Sequence, residues 1–534
     1  MSVSGGRDFQ APGRSVVIAG EAAAATSHPL ATMAAIEALK AGGTAMDAAI
    51  TAAATLGVVE PAMTGIGGDC FMLMSVGGTD RILAYNGAGR AASAADPYWF
   101  QQRKLRTIDP DSIHAVTVPG CVEAWCRLAQ DHGKLGIDRL LQPAIRYAEE
   151  GFPVAPRVAF DWAASAPRLA RYPITAKQYL PGGGPPAVGD RVQLPLLGKA
   201  LREIAWKGAE GFYQGWVADD IMRCLKAEGS LLRIEDLIEH RGEYSLPIKT
   251  SYRGLQVWEC PPPGQGLTAL IMLNILAQFR SIGPAPLSPD RLHLEIEAAK
   301  LAYAERDRHI ADPDHAAVPV ERLLSEQHAR QLASQIDPTR ARSGKRMPQL
   351  APHPDTVYLT VVDRDHNAVS FINSIYFGFG SARATERSGI LLQNRGACFS
   401  LDPRHPNCIG PRKRSMHTII PAMVTGEGRA VLSFGVMGGD YQPVGQVHAL
   451  TNMVDFGMDP QAALDCPRVH HEEGVLAVET GVPEEIFLAL SERGHSVLRP
   501  VEPLGGGQAI AIDWKRGVLL AGSDPRKDGC ALGY

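Results

Sequence analysis

The 534-residue sequence has almost no excess of charge of either sign: 53 Lys and Arg stand against 57 Asp and Glu, a net charge of −4. Without a basic field there is little to hold a nucleic acid backbone, which excludes nucleic-acid binding as a main role. Long apolar runs are missing as well. No stretch approaches the roughly 20 apolar residues that span a bilayer, and the Ala-rich region Ala45–Val59 is broken by Asp47 and several threonines, so it reads as a buried helix. The opening MSVSGGRDFQAPGRSVV has neither the basic start nor the apolar core of a secretory signal. The nine cysteines form no CxxC pair, a pattern that fits free thiols in a reducing, cytoplasmic compartment.

Three common site signatures are absent too. There is no GxSxG, so a serine α/β-hydrolase lacks its nucleophile turn. Gly65-Ile66-Gly67-Gly68 follows a helix and precedes a strand. That is the reverse of a dinucleotide site, and a tight turn is expected instead. His470-His471-Glu472-Glu473 places adjacent histidines on opposite faces of a strand with no spaced partner, so no metal is expected there.

What is present changes character along the chain. Pro29 at a first helical position predicts a helix to Lys40, stopped by Gly42-Gly43. A second, central helix is expected over 45–56, then a strand over 70–75. The region 122–236 reads as mostly helical with loops over 172–192, including the PGGGPP run. Ser288 as N-cap and Pro289 predict one long helix, Pro289–His309. Residues 338–355 hold four prolines and little periodicity, the composition of an exposed linker. Strands follow: β-branched residues from Thr356, a turn over 363–367, a returning strand over 368–375, then strands beginning at Gly389 and Val431. Helices are expected over 442–456 and 460–466, and strands and turns from Ser496. Helical layers around antiparallel sheets fit a large α+β sandwich.

The Asp355-Thr356 junction is where chemistry can reside. A threonine heading a strand just after a linker can attack the carbonyl of residue 355 and form an ester that water opens. Thr356 then gains a free α-amine beside its own hydroxyl, the threonine–amine form of an activated nucleophile. Composition alone favours a plain strand residue.

The motifs weigh the other way. The segment DTVYLTVVDRDHNAVSFINS, then SGILLQN, Phe399-Ser400, GPRKRSM and the glycine pair Gly438-Gly439 occur in the order seen in the γ-glutamyltranspeptidase family. The early run HPLATMAAIEALKAGGTAMDAAITAAATLGVVEPAMTGIGGDCFML resembles that family's large-subunit opening. The resemblance implies a four-layer αββα sandwich of the N-terminal-nucleophile hydrolase type. It also implies cleavage into a large subunit, 1–355, and a small subunit, 356–534. Carried over by position, Thr356 is the nucleophile and Ser374 its hydrogen-bonding partner, and the Gly438 and Gly439 N–H groups form the oxyanion hole. No cofactor or metal is implied.

Departures from the family fall at the substrate. The arginine that holds a glutamate α-carboxylate is replaced by Ala95, ahead of Asp96-Pro97-Tyr98. The acid that holds the α-amino group is replaced by Cys398, the serine pair ahead of Met416 by Arg414-Ser415, and a substrate-side asparagine by Tyr376. Arg395, beside Asn394, and Arg414 are new cations that can receive a small anionic acyl group, though a solvated surface arginine is an equal alternative for each. His417 can add a donor or be a satisfied structural histidine. The stretch between Ser400 and Gly410 is short for the family's lid, which suggests an open pocket. The set is most similar to the oxamate amidohydrolase branch, which cleaves oxamate to oxalate and ammonia. A γ-glutamyltransferase or glutathione hydrolase, a glutaryl or cephalosporin acylase, and a non-catalytic binding homologue are the alternatives. The expected partners are a small amide and the chain's own two subunits, with a dimer of heterodimers left open.

Overall fold

The computed structural model describes residue 10 and residues 13–342 and 356–534. Most of the expected linker, from 343 to 355, lies outside the described residues. Two seven-stranded antiparallel sheets form the centre. In one, the strand order is Val17–Ala19, Val518–Ser523, Gly506–Asp513, Arg429–Met437, Ala422–Gly426, Leu255–Glu259, Ile248–Tyr252. In the other it is Cys530–Gly533, Ala23–Thr26, Val357–Val362, Ala368–Ser374, Asp69–Ser75, Ile82–Gly87, Glu243–Ser245. The expected hairpin is the middle of this second sheet.

Strand alternation sorts side chains between the layers. Val357, Leu359 and Val361 face a helical layer that includes Pro29–Lys40 and Ala45–Val59. Tyr358 and Val362 face the other sheet, packed with Met423, Met437 and Ile510. Gly266–Leu276, Pro289–His309 and Gln442–Val454 cover the far side of the first sheet. The result is the four-layer αββα sandwich.

The central helix Ala45–Val59 is buried along its whole length, which explains its lack of a polar face. Thr44 and Asp47 start it with a reciprocal capping box. Asp363, in the hairpin turn, accepts a 2.8 Å hydrogen bond from the Ala45 N–H and so ties that turn to the helix. Ser288 caps Pro289–His309 as expected.

Two expectations fail. The segment from Gly389 is not a strand. Ala384 and Leu391 form a single bridge, and the backbone is otherwise satisfied by the Thr385 turn and by Tyr179 Oη, 2.8 Å from the Gly389 carbonyl. The region 172–192 is not all loop, because Pro173 opens a helix, Pro173–Tyr179. All nine cysteines are unpaired. Among the described residues no helix is long and apolar enough to cross a membrane.

The Gly65–Gly68 turn lies against the end of the hairpin. A methyl group on Gly68 would sit 2.2 Å from the Ser374 carbonyl oxygen, and one on Gly67 2.0 Å from that of Leu391. Both contacts are backbone and cannot swing away. Gly68→Ala should therefore destabilise the protein by about 1–3 kcal/mol, the usual cost of overpacking. Denaturant unfolding at neutral pH checks this, and an unchanged midpoint would contradict it.

Candidate active site

Register places the first pair. Val357 pairs with Asn373 and Tyr358 with Ile372, so the residue before Val357 falls opposite Ser374. Both side chains point between the sheets, and Thr356 Oγ1 donates to Ser374 Oγ at 3.2 Å. On the other side Ser374 pairs with Asp69. Thr356, Ser374 and Asp69 thus form one row across three neighbouring strands, with relative exposures of 1, 0 and 0%.

The facing sheet carries the glycine pair. Across the sandwich Thr360 Oγ1 meets Ser433 Oγ at 2.7 Å, and the Tyr358 ring lies over Gly435. Two more residues along each strand bring Thr356 level with Met437, immediately before Gly438. Gly438 and Gly439 have φ of +119° and +56°, conformations that suit glycine. Their carbonyls are occupied, by Tyr441 N–H at 2.9 Å and by Gln265 Nε2 at 2.9 Å. Gln265 also accepts from Arg306 at 2.9 Å, and Arg306 pairs with Asp440 at 2.8 Å. This buried brace fixes the turn; its members are far apart in the chain, so no local motif reveals it.

Arg395 is buried, 1% exposed, not a surface residue. Its Nη2 donates to Ser374 Oγ at 3.2 Å, its Nη1 to Thr418 Oγ1 at 2.6 Å, and its guanidinium lies 4.2 Å from the centre of the Tyr376 ring. Its Nε and the Tyr376 hydroxyl have no nitrogen or oxygen partner among the described residues, and the Cys398 thiol lies against both side chains. Tyr376 has φ of +79°, a strained value for a non-glycine residue; its N–H donates to Ser374 Oγ at 2.9 Å. A buried cation and two donors that lack a nitrogen or oxygen partner, beside a hydroxyl row, can accept an anion.

The remaining sequence candidates also have protein partners. The Asn394 amide spans the Phe377 N–H at 3.2 Å and the Pro110 carbonyl at 3.0 Å, a structural bridge. Arg414 is buried as well, but it pairs with Glu243, donates to the Ala88 carbonyl at 3.3 Å, and its backbone N–H binds Asp312 at 2.7 Å. Ser415 donates to the Arg395 carbonyl at 3.4 Å.

Asp69 and His417 complete the floor. His417 Nδ1 accepts from the Ile419 N–H at 3.3 Å, which leaves Nε2–H to donate to Asp69 Oδ2 at 3.1 Å. Asp69 Oδ1 accepts from the Gly89 N–H at 2.8 Å and from Gln393 at 2.9 Å. Burial alone would raise the Asp69 carboxyl, but the His417 hydrogen bond and the Arg395 charge hold it below its ordinary value. Burial, then the Arg395 charge, depress His417 to about 4. The pair is therefore carboxylate and neutral imidazole at pH 7, and both ring nitrogens of His417 are hydrogen-bonded.

A sandwich of this build, with a buried hydroxyl pair at the head of its central hairpin, is the N-terminal-nucleophile hydrolase class. The γ-glutamyltranspeptidase family matches residues 31–534. The glutathione hydrolase-like YwrD proenzyme of Bacillus subtilis is 39% identical over 95% of this chain and 97% of its own length. The oxamate amidohydrolase proenzyme of Klebsiella pneumoniae is 34% identical over 96% and 98%. The crystal structure of a cephalosporin acylase from Bacillus halodurans covers 100% of this chain and 99% of its own, at 39% identity and a TM-score of 0.92. The chain belongs to the γ-glutamyltranspeptidase family and is a hydrolase.

The buried histidines set an acid limit on stability. His28, His240 and His470 are, like His417, depressed to about 4 by burial. Unfolded histidine titrates near 6.5, so between those values the unfolded state binds more protons. Stability should fall as pH drops from 6.5 to 4. His417→Asn should flatten part of that slope, as read from urea unfolding at pH 7, 5.5 and 4.5.

Proposed function

We propose that the chain is a self-processing amidohydrolase that cuts itself before Thr356. It then hydrolyses a small amide whose acyl group carries a carboxylate and no ammonium, with oxamate as the substrate. In processing, Thr356 Oγ1 attacks the residue 355 carbonyl, the peptide C–N bond breaks, and an ester forms. Water adds to the ester and leaves residue 355 with a carboxylate and Thr356 with an amine. In turnover, that amine takes the Thr356 hydroxyl proton as Oγ1 attacks the substrate carbonyl. The Gly438 and Gly439 N–H groups face the oxyanion, where one such donor is worth roughly 2.7–4 kcal/mol. Ammonia leaves with the transferred proton, and water releases oxalate from the acyl-Thr356 ester. None of these steps uses a metal or organic cofactor.

The observation that carries the substrate is the position of Arg395. Its guanidinium lies two hydrogen bonds from the nucleophile, through Ser374 Oγ. A carboxylate held there must sit directly beside the scissile carbonyl, as in oxamate. We assign the anion to Arg395 and the adjoining Tyr376, and not to Arg414, whose charge is already paired. With Cys398 in place of an acid, that position offers no carboxylate to an amino acid ammonium. The likeness to a cephalosporin acylase makes a longer glutaryl amide the second compound to test.

Steady-state release of ammonia from oxamate, a glutaryl amide and a γ-glutamyl amide tests this reading. Oxamate should be turned over with the highest kcat/KM. Arg395→Gln, measured on its processed fraction, should lower that value by about 10- to 150-fold, the effect of losing about 1.5–3 kcal/mol of charged hydrogen bonding. Preference for the γ-glutamyl amide would contradict the assignment.

A further inference from the structure

Outside this hydroxyl row, three metal-ligating side chains converge under the outer helical layer. His293 and Glu297 are four residues apart on the helix Pro289–His309 and share one face. His495 reaches them from the turn that follows the helix Glu484–Glu492. One ligand atom from each of the three lies within 4.8 Å of the others, and all three residues are buried, at 1, 2 and 5% exposure.

The hydrogen bonds orient this group as a metal site is oriented. His293 Nε2–H donates to the Asp337 carbonyl at 2.8 Å. That fixes the tautomer and turns the Nδ1 lone pair toward His495 Nε2, 2.8 Å away. A ligating imidazole normally has just such an outer partner. His495 Nδ1 has no partner among the described residues, an uncommon state for a buried nitrogen. Glu297 faces the pair with one oxygen 2.7 Å from Lys300 Nζ and the other 3.2 Å from the Arg342 N–H.

We propose that His293 Nδ1, His495 Nε2 and the Glu297 carboxylate bind a divalent transition metal, with zinc the best match. Two imidazoles and one carboxylate are a common zinc donor set. Coordination at His495 Nε2 moves the proton it shares with His293 onto His495 Nδ1, keeping that imidazole neutral, and displaces Lys300 from one Glu297 oxygen; the remaining position is open to water. The site shares no residue with the hydrolytic row.

Its placement gives it a further role. Asp337 and Arg342, which touch the site through their backbones, lie shortly before the expected cleavage point. If residues 1–355 and 356–534 become separate chains, His293 and Glu297 belong to one and His495 to the other. The ion then pins the two subunits together. This second role rests on the cleavage reading; the metal site does not.

The test uses untagged full-length protein, stripped by a chelator and titrated with Zn²⁺ alone, followed by calorimetry and thermal melting. We expect one tight zinc per chain and a raised Tm. In His495→Gln and Glu297→Gln the affinity should fall by more than about 100-fold, beyond the effect of losing only an outer-shell partner. Cobalt should give the wild type the intense visible bands of a four-coordinate ion, a readout that needs no variant. Absence of both tight zinc binding and the cobalt bands, or equal zinc affinity in the variants, would overturn the site. Zinc bound equally well by uncleaved Thr356→Ala protein would support the site regardless of processing. Zinc that binds without slowing dissociation of processed subunits would overturn the pin alone.

Discussion

Ser374 Oγ is the point on which the rest of this site depends. It accepts from the Thr356 hydroxyl, from the Arg395 guanidinium and from the Tyr376 N–H. One oxygen thereby links the expected nucleophile, the cation beside it and the strained residue whose ring that cation covers. The position is set by a register in which Thr356, Ser374 and Asp69 align across adjacent strands. A slip of one residue would turn these side chains to the helical face. The Gly65–Gly68 turn, pressed on the Ser374 carbonyl, and the Asp363 bond to the central helix hold that register from both ends of the hairpin.

Charge in this region is handled by burial with partners. Arg395 sits near the Asp69 carboxylate, which His417 and the Gly89 N–H keep ionised without adding a second cation. Arg306 braces the Gly438-Gly439 turn through Gln265 and Asp440. Arg414 looks like Arg395 in the sequence, yet its charge is met by Glu243. The two arginines differ in their partners: the Arg395 guanidinium ends on hydroxyls, the Arg414 guanidinium on a carboxylate.

Local signals in the sequence were sufficient for much of the fold. Pro29 and Ser288-Pro289 start helices by mechanisms that need only a few neighbouring residues. The hairpin from Thr356 was legible because β-branched residues flank a turn. The pairing of Thr356 with Ser374 was implied by the family resemblance, and the hairpin register sets the two opposite each other. The strand expected at Gly389 failed because its backbone bonds to Tyr179 and the Thr385 turn, partners that no periodicity reveals. Burial of Arg395 was equally hidden, since Thr418 and Ser374 reach it from separate segments. The cluster of His293, Glu297 and His495 is invisible for the same reason: its histidines stand 202 positions apart.

The central claim is that Thr356 is a nucleophile that frees its own amine. Intact mass under denaturing conditions, on wild type and Thr356→Ala, tests it most directly. The account predicts two wild-type fragments, the smaller beginning at Thr356, and a single uncut chain for the variant. A wild-type chain that stays whole after prolonged incubation, or a variant that is cut at the same bond, would contradict it.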